Sequence, residues 1–366
     1  MIIRVKHIFG ALGILLLLTG CKATIHEYPQ ESSLTLNITC EVGSSEIDDM
    51  ETFVTAECES ANSLMFTNRV LSANNSGETI MGSPLRYTID LYKVEASHAK
   101  FKKREQIVIN AGEEFEPVSF RGVTAGEYKV LVWCEKYDAD RSFYNIEDLK
   151  KVTYNNDIEI VDNNDKDAFT NSISVDLRDY TYKSGNHNID KHIVVTRPHG
   201  RFKFISYDIS EYNNRTDYIT TLVNYSEYAP TGYNVEEQKA NAHERNKIFS
   251  QCVNLSDSYN SIDGDRVLDL CYDFIFIGGS QTNIAIKLEF YDGKFKWDAA
   301  KGKLVDENGV EATDDDFVNS FTNVIPLKRD MLTPVIGRLL TQRVEGGGIE
   351  ITPGFDDEII IEIPED

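Results

Sequence analysis

Apolar and polar residues alternate with a period of two through much of the chain beyond residue 33. Leu34-Thr35-Leu36-Asn37-Ile38-Thr39-Cys40 does so strictly, as a strand with one buried face requires. Tyr87-Thr88-Ile89-Asp90-Leu91-Tyr92 repeats the pattern. Strand-like runs follow at 107–109 and 128–133, set apart by Gly112, Gly122 and Gly126 in turn-like contexts. Further runs lie at 193–196, 202–205 and 218–225, and the run at 274–277 turns at Gly278-Gly279 into an alternating stretch, 284–290. Tyr291-Asp292-Gly293-Lys294 reads as a hairpin closing that strand. The last candidates are 335–340, 349–351 and 359–363. Helical signals are few: 145–149 has a cap and apolar residues three apart, enough for a turn or two. Residues 235–249 suit a helix by propensity but lack apolar periodicity, so they read as a loop with room for a helix. Many short strands between turn signals predict an all-β chain of sandwiches.

The first thirty residues follow a different rule. Arg4, Lys6 and His7 precede an apolar run over 8–18, shorter than the roughly 20 residues a spanning helix needs and the right length for a secretory signal. Leu18-Thr19-Gly20-Cys21 resembles the bacterial lipobox, in which small residues admit the peptidase and the cysteine thiol receives the diacylglycerol. Residues 1–20 are therefore expected to be a lipoprotein signal peptide and Cys21 the lipidated N-terminus. Residues 21–33 are polar and unpatterned, as a tether would be. Lys22 with Glu27 and Glu31 loosely resembles the charged export signals of surface lipoproteins. The expected location is the outer membrane, held by lipid and exposed at the surface.

The length beyond Cys21 predicts two domains, 34–187 and 188–366, divided in the polar stretch Ser184-Gly185-Asn186-His187-Asn188. A net charge of −23 argues against nucleic acid, which needs a basic face. Between Lys22 and Asn68 nine carboxylates face one lysine and no arginine. Of the six cysteines one is assigned to lipid, and the remaining five cannot all pair within the chain. Cys252 and Cys271 are the nearest late pair for a disulfide, while Cys40 and Cys134 sit in strand-like runs and read as small buried apolar groups. Cys58 has no assigned partner, and no spacing suits zinc or another metal.

Motifs for chemistry are sparse. Asp162-Asn163-Asn164-Asp165-Lys166-Asp167 fails the calcium-loop pattern, with lysine at the fifth place and aspartate where glycine belongs, and reads as a solvated loop. Asp314-Asp315-Asp316 and Asp263-Gly264-Asp265 suit turns before cations. Gly278-Gly279-Ser280 is not a nucleophile elbow, and Gly346-Gly347-Gly348 is not a phosphate loop. No catalysis and no cofactor are expected. Trp133 reads as core. Trp297 follows a hairpin tip and reads as packed, with stacking on a sugar ring as the alternative.

A family resemblance runs through most of residues 30–366. Residues 130–137 (Val-Leu-Val-Trp-Cys-Glu-Lys-Tyr), then Phe143-Tyr144-Asn145, Asp148-Leu149 and Asp167-Ala168-Phe169-Thr170, resemble two-domain lipoproteins related to fimbrillins. Thr196-Arg197-Pro198 leading into 201–206 resembles the start of that family's second domain. Ile325-Pro326-Leu327-Lys328-Arg329 with Gly337-Arg338-Leu339-Leu340-Thr341, and Gly346-Gly347-Gly348-Ile349 with Pro353-Gly354-Phe355, resemble its late strands and C-terminal signature. Cys134-Glu135-Lys136 departs from the pattern, and Pro334 is expected to interrupt the late strand. The resemblance implies two transthyretin-like Greek-key sandwiches in a fimbrial subunit or anchor, with fimbrial subunits as partners. Polymerising members lose a first strand after an arginine cut, yet here no arginine occurs between Cys21 and Arg69, which favours an anchor that keeps its lipid and first strand. Ile359, Ile360, Ile361 and Ile363 are the candidate assembly strand, or simply the final strand of the second sandwich. The alternative is a surface glycan-binding lipoprotein of a nutrient-uptake system, with Tyr207, Tyr212, Tyr218, Tyr225, Tyr228 and Tyr233 as candidate exposed aromatics.

Overall fold

The computed structural model describes residues 33–43, 48–49, 54–60, 63–67, 83–96, 98–155, 163–181, 183, 185–260, 264–341, 350–353 and 359–362. Every regular element among them is a strand or a short 3-10 turn. The chain opens with β1 (Ser33–Val42), β2 (Asp48–Asp49), β3 (Val54–Ser60) and β4 (Ser63–Thr67). Next come β5 (Leu85–Glu95), β6 (His98–Ile109), β7 (Val118–Val123), β8 (Glu127–Lys136), β9 (Tyr144–Asn145) and β10 (Val152–Tyr154). A 3-10 turn (Asn163–Lys166) leads to β11 (Ala168–Asp176) and β12 (Asn186–Val195). Then follow β13 (His199–Ser206), β14 (Tyr218–Tyr225), β15 (Ala229–Asn234), β16 (Lys239–Glu244), β17 (Lys247–Asn254) and β18 (Tyr259–Asn260). The last are β19 (Arg266–Phe276), β20 (Gln281–Asp292), β21 (Lys296–Asp298), β22 (Lys303–Val305), β23 (Phe317–Lys328), β24 (Met331–Gly337), β25 (Glu350–Pro353) and β26 (Ile359–Glu362).

Two sandwiches result. In the first, the sheet β12-β1-β7 faces the sheet β11-β8-β5-β6. Leu34, Leu36, Ile38 and Phe120 on one side meet Ile89, Val130, Val132 and Phe169 on the other. In the second, the sheet β17-β14-β20-β23 faces a sheet in which β19, β13 and β24 are central. Its core holds Phe202, Phe204, Val223, Ile286, Leu288, Phe290 and Ile325. The all-β expectation holds, and its physical basis is visible in β1 and β20, whose apolar positions are buried while the intervening polar ones are not.

Several local expectations do not hold. Residues 145–149 form a turn, because Asn145 Oδ1 accepts the Glu147 N–H at 3.1 Å and Asp148 Oδ1 accepts the Lys150 N–H at 3.0 Å before a helical ladder can start. Residues 235–249 are mostly strand: β16 pairs with β15 and β17 with β14. The chain does not fold back at 291–294. The Asp292 carboxylate accepts the Arg215 and Thr216 N–H groups at 2.6 and 2.9 Å, so this aspartate fastens the 212–216 loop, and β20 pairs with β23 instead. β24 runs through Pro334. Pro334 stands opposite Lys203 of β13 on one side, and on the other it falls between the end of pairing with β2 at Leu332 and the start of pairing with β3 at Val335.

The position expected to divide the chain, between 187 and 188, lies inside β12, which puts Ile193 and Val195 into the first core. The change to the second core comes after Val195. Farther back, β2 and β3 pair with β24, so residues well before that change join the second sandwich's sheet.

Candidate functional site

Strand exchange demands a strand that can leave a slot, and β1 occupies such a place. It is the middle strand of three, parallel to β12 in unbroken register from Ser33↔Asn186 to Val42↔Val195 and antiparallel to β7. Leu34, Leu36 and Ile38 are fully buried in the first core. On the outer face Asn37 ties both neighbours, donating to Asp190 Oδ1 at 2.7 Å and accepting from Ser119 Oγ at 2.8 Å. The Gly43 N–H donates to Val195 O at 2.9 Å and closes the end. Without β1, the facing edges of β7 and β12 would present unpaired N–H and C=O groups along an apolar groove one strand wide.

A second constellation lies where the two sandwiches meet, built around Trp133, Tyr144, Tyr233 and Phe276. Trp133 is fully buried and meets Tyr144 edge-on at 5.0 Å. His199 stacks on Phe276 at 4.4 Å and its Nε2 lies 3.2 Å from the Tyr144 hydroxyl, which itself donates to the Lys166 carbonyl. Lys166 is buried with Asp273, Nζ to Oδ1 2.5 Å, and the Tyr225 hydroxyl donates to the other carboxylate oxygen at 2.6 Å. Arg197 grips Asp167 with two hydrogen bonds of 2.7 and 3.1 Å and lies over the Phe169 ring. Asp165 takes Lys136 and Arg141. At Gly200, between these strands, a Cβ would stand 2.5 Å from the Lys328 carbonyl oxygen, so only glycine lets β13 approach so closely.

The solvated-loop reading of the aspartate-rich segment is therefore overturned for Asp165, Lys166 and Asp167. All three are buried, each with a partner of opposite charge: Asp165 with Lys136 and Arg141 of the first sandwich, Lys166 with Asp273 of the second, and Asp167 with Arg197. Asp162 lies outside the described residues. Burial pushes the Lys166 ammonium pKa down and holds the His199 imidazole well below its usual range, with Lys166, Arg197 and Arg329 adding repulsion to the histidine. Since the folded pKa of His199 is depressed, the unfolded chain takes up a proton first once pH falls below about 6.5. The histidine's contribution is then lost as pH falls, at up to about 1.4 kcal/mol per pH unit. Urea titrations at stepped pH should show His199→Gln less acid-labile than the parent. Parallel curves for the two proteins would rule this group out as the cause.

Leu18, Thr19, Gly20 and Cys21 lie outside the described residues, as does Ile363. Ile359, Ile360 and Ile361 belong to β26, which among the described residues pairs with β25 in a two-stranded ladder, Ile361 opposite Ile351. Cys252 and Cys271 are not joined. Cys271 points into the second core from β19, whereas Cys252 sits on β17 among Thr220, Lys294 and Phe295. Cys40 and Cys134 are buried thiols of the first core, and burial pushes Cys40 up to about 12. The tyrosine-rich region offers no continuous exposed face, since Tyr225 and Tyr233 are core residues. Among the described residues no group of three or more His, Cys, Asp or Glu side chains could hold a metal ion.

Residues 44–304 match the profile of a family described as a family of unknown function, DUF6562. The chain belongs to DUF6562. No curated protein matches this DUF6562 member. Similar solved structures include a candidate adhesin from Bacteroides ovatus, 10% identical, covering 84% of this chain and 89% of that one at a TM-score of 0.39. The fimbrial anchor protein Mfa2 from Porphyromonas gingivalis is 10% identical, with 82% and 99% covered and a TM-score of 0.35. The tip fimbrial protein Mfa3 from the same organism, with a C-terminal truncation, is 9% identical, with 92% and 99% covered and a TM-score of 0.34. Overlaps this low place no strand and assign no site, so the architecture of the DUF6562 chain rests on its own strand pairing.

Proposed function

We propose that this DUF6562 chain is a non-catalytic surface lipoprotein of a fimbrial assembly. It is of the anchor type, held in the outer membrane by lipid on Cys21 and joining other subunits through a sheet edge. The observation that carries this reading is the seating of β1. It fills the first core between β7 and β12, and the first arginine after Cys21 is Arg69, beyond β4. A cut there would remove β1 together with β2 and β3, which pair with β24 in the other sandwich. Such a cut would unsettle both sandwiches instead of opening one clean slot. An anchor that retains its first strand agrees with that arrangement. The divide between its two domains is proposed at Thr196-Arg197-Pro198, and an edge of the β25–β26 pair, which carries Ile359, Ile360 and Ile361, is the proposed contact for a partner strand.

The N-terminus of the protein isolated from its native cells tests the reading. Mass spectrometry is expected to find acylated Cys21 as the first residue, and Cys21→Ser should release the protein from the membrane fraction. A chain beginning at Val70 would contradict it.

A further inference from the structure

The outer face of the sheet β17-β14-β20-β23 is roofed at one place by the small β21–β22 ladder. Between the two lies an open cavity of about 340 Å³. Its floor is formed by Leu222 and Asn224 of β14 with Lys287, Glu289 and Tyr291 of β20. These positions are two apart along their strands and so share one face, while the intervening Val223, Leu288 and Phe290 point into the core. The wall is Trp297. Its backbone N–H donates to Ser250 Oγ at 2.7 Å, which fixes β21 against β17 and leaves the indole half-buried beside the cavity.

The charges around this cavity are matched. Lys287 pairs with Glu289 at 2.8 Å, and Lys303 pairs with Glu311 at the rim. An anionic ligand would have to break one of these pairs, whereas an uncharged polyol can accept from the ammonium groups and donate to the carboxylates while they stay paired. Asn224 Oδ1 is a buried acceptor with no hydrogen-bond partner, and turning the amide toward the cavity would let a ligand hydroxyl satisfy it. A flat aromatic wall beside fixed donors and acceptors suits a sugar ring, whose C–H face is apolar and whose edge carries hydroxyls.

We propose that this cavity binds one uncharged pyranose unit of an oligosaccharide, with Trp297 as the stacking wall and Asn224, Lys287 and Glu289 as hydroxyl partners. The proposal does not rest on the anchor reading: a site of this kind can serve adhesion to glycan whether or not the chain keeps its first strand. It also gives Trp297 both of the roles its sequence context allowed, packing through its backbone and stacking through its ring.

The test uses the full chain, purified in detergent and labelled with 5-fluorotryptophan. Trp133 and Trp297 are its only tryptophans, so two resonances are expected, and Trp297→Phe assigns the second. Maltohexaose, cellohexaose, xylohexaose and mannohexaose are added separately at millimolar concentration, with inorganic phosphate as the charged comparison. At least one oligosaccharide is expected to shift the Trp297 resonance saturably and leave that of Trp133 in place. Glu289→Gln and Asn224→Ala should each weaken that binding by about tenfold with both resonances otherwise unchanged. If no oligosaccharide moves the Trp297 signal, if phosphate alone moves it, or if both variants bind as the parent does, the proposal is overturned.

Discussion

Truncating Leu36 to alanine is expected to destabilise the protein by about 3 kcal/mol, and removing residues 22–43 should unfold the first sandwich altogether. Leu36 lies at the centre of β1 with no exposed surface, opposite Phe120 of β7 and Ile189 of β12. The leucine loses its transfer energy and leaves a cavity that two rigid neighbouring strands cannot fill. The deletion removes Leu34, Leu36 and Ile38 together, and at about 3 kcal/mol each the sum is as large as the roughly 5–15 kcal/mol that keeps a typical domain folded. It also strips the hydrogen-bonding partners from two strand edges. A synthetic peptide of residues 33–42 added to the deleted chain should restore part of the lost near-ultraviolet dichroism, because refolding around it returns a pairing partner to both β7 and β12. Thermal unfolding of Leu36→Ala gives an answer even if the deleted chain aggregates. A shift in midpoint of less than a degree would mean that β1 does not carry the first core.

The second large effect is expected at the joint between the sandwiches. Lys166→Met should cost about 3–5 kcal/mol, because it leaves the Asp273 carboxylate buried without its cation. The double variant Lys166→Met, Asp273→Asn should recover most of that loss. The amide is neutral, and its oxygen can still accept from the Tyr225 hydroxyl, which now meets Asp273 at 2.6 Å. A buried ion pair often contributes little net stability over a neutral pair of similar shape, but breaking one side alone is severe. Urea unfolding of the parent, the two single variants and the double variant closes the cycle. Additive losses in the double variant would show that the two side chains do not act as a pair.

What the sequence made legible follows from where water lies. The strict alternation at 34–40 is readable because β1 has one wet face and one dry face, and the same holds for β20. The charges at 165–167 were not readable: aspartates beside a lysine look solvated, and their partners, Lys136 and Arg141 for Asp165, Asp273 for Lys166 and Arg197 for Asp167, come from distant parts of the chain. β13 shows the same limit. His199, Arg201 and Lys203 occupy polar positions of an alternating strand, yet all three are buried, with Lys203 on Asp269 and Arg201 over Tyr272. The pairing of β2 and β3 with β24 is a contact between distant parts of the chain that no local pattern encodes. The same is true of the cavity at Trp297. The indole was visible as a candidate, but the floor beneath it comes from β14 and β20, and no spacing in the sequence links them.

Cross-linked affinity isolation of the tagged protein from intact native cells, with the captured chains identified by mass spectrometry, tests the central claim most directly. Fimbrillin-like subunits joined through the β25–β26 region are the predicted result. A glycan transporter recovered with no such subunits would contradict the anchor reading.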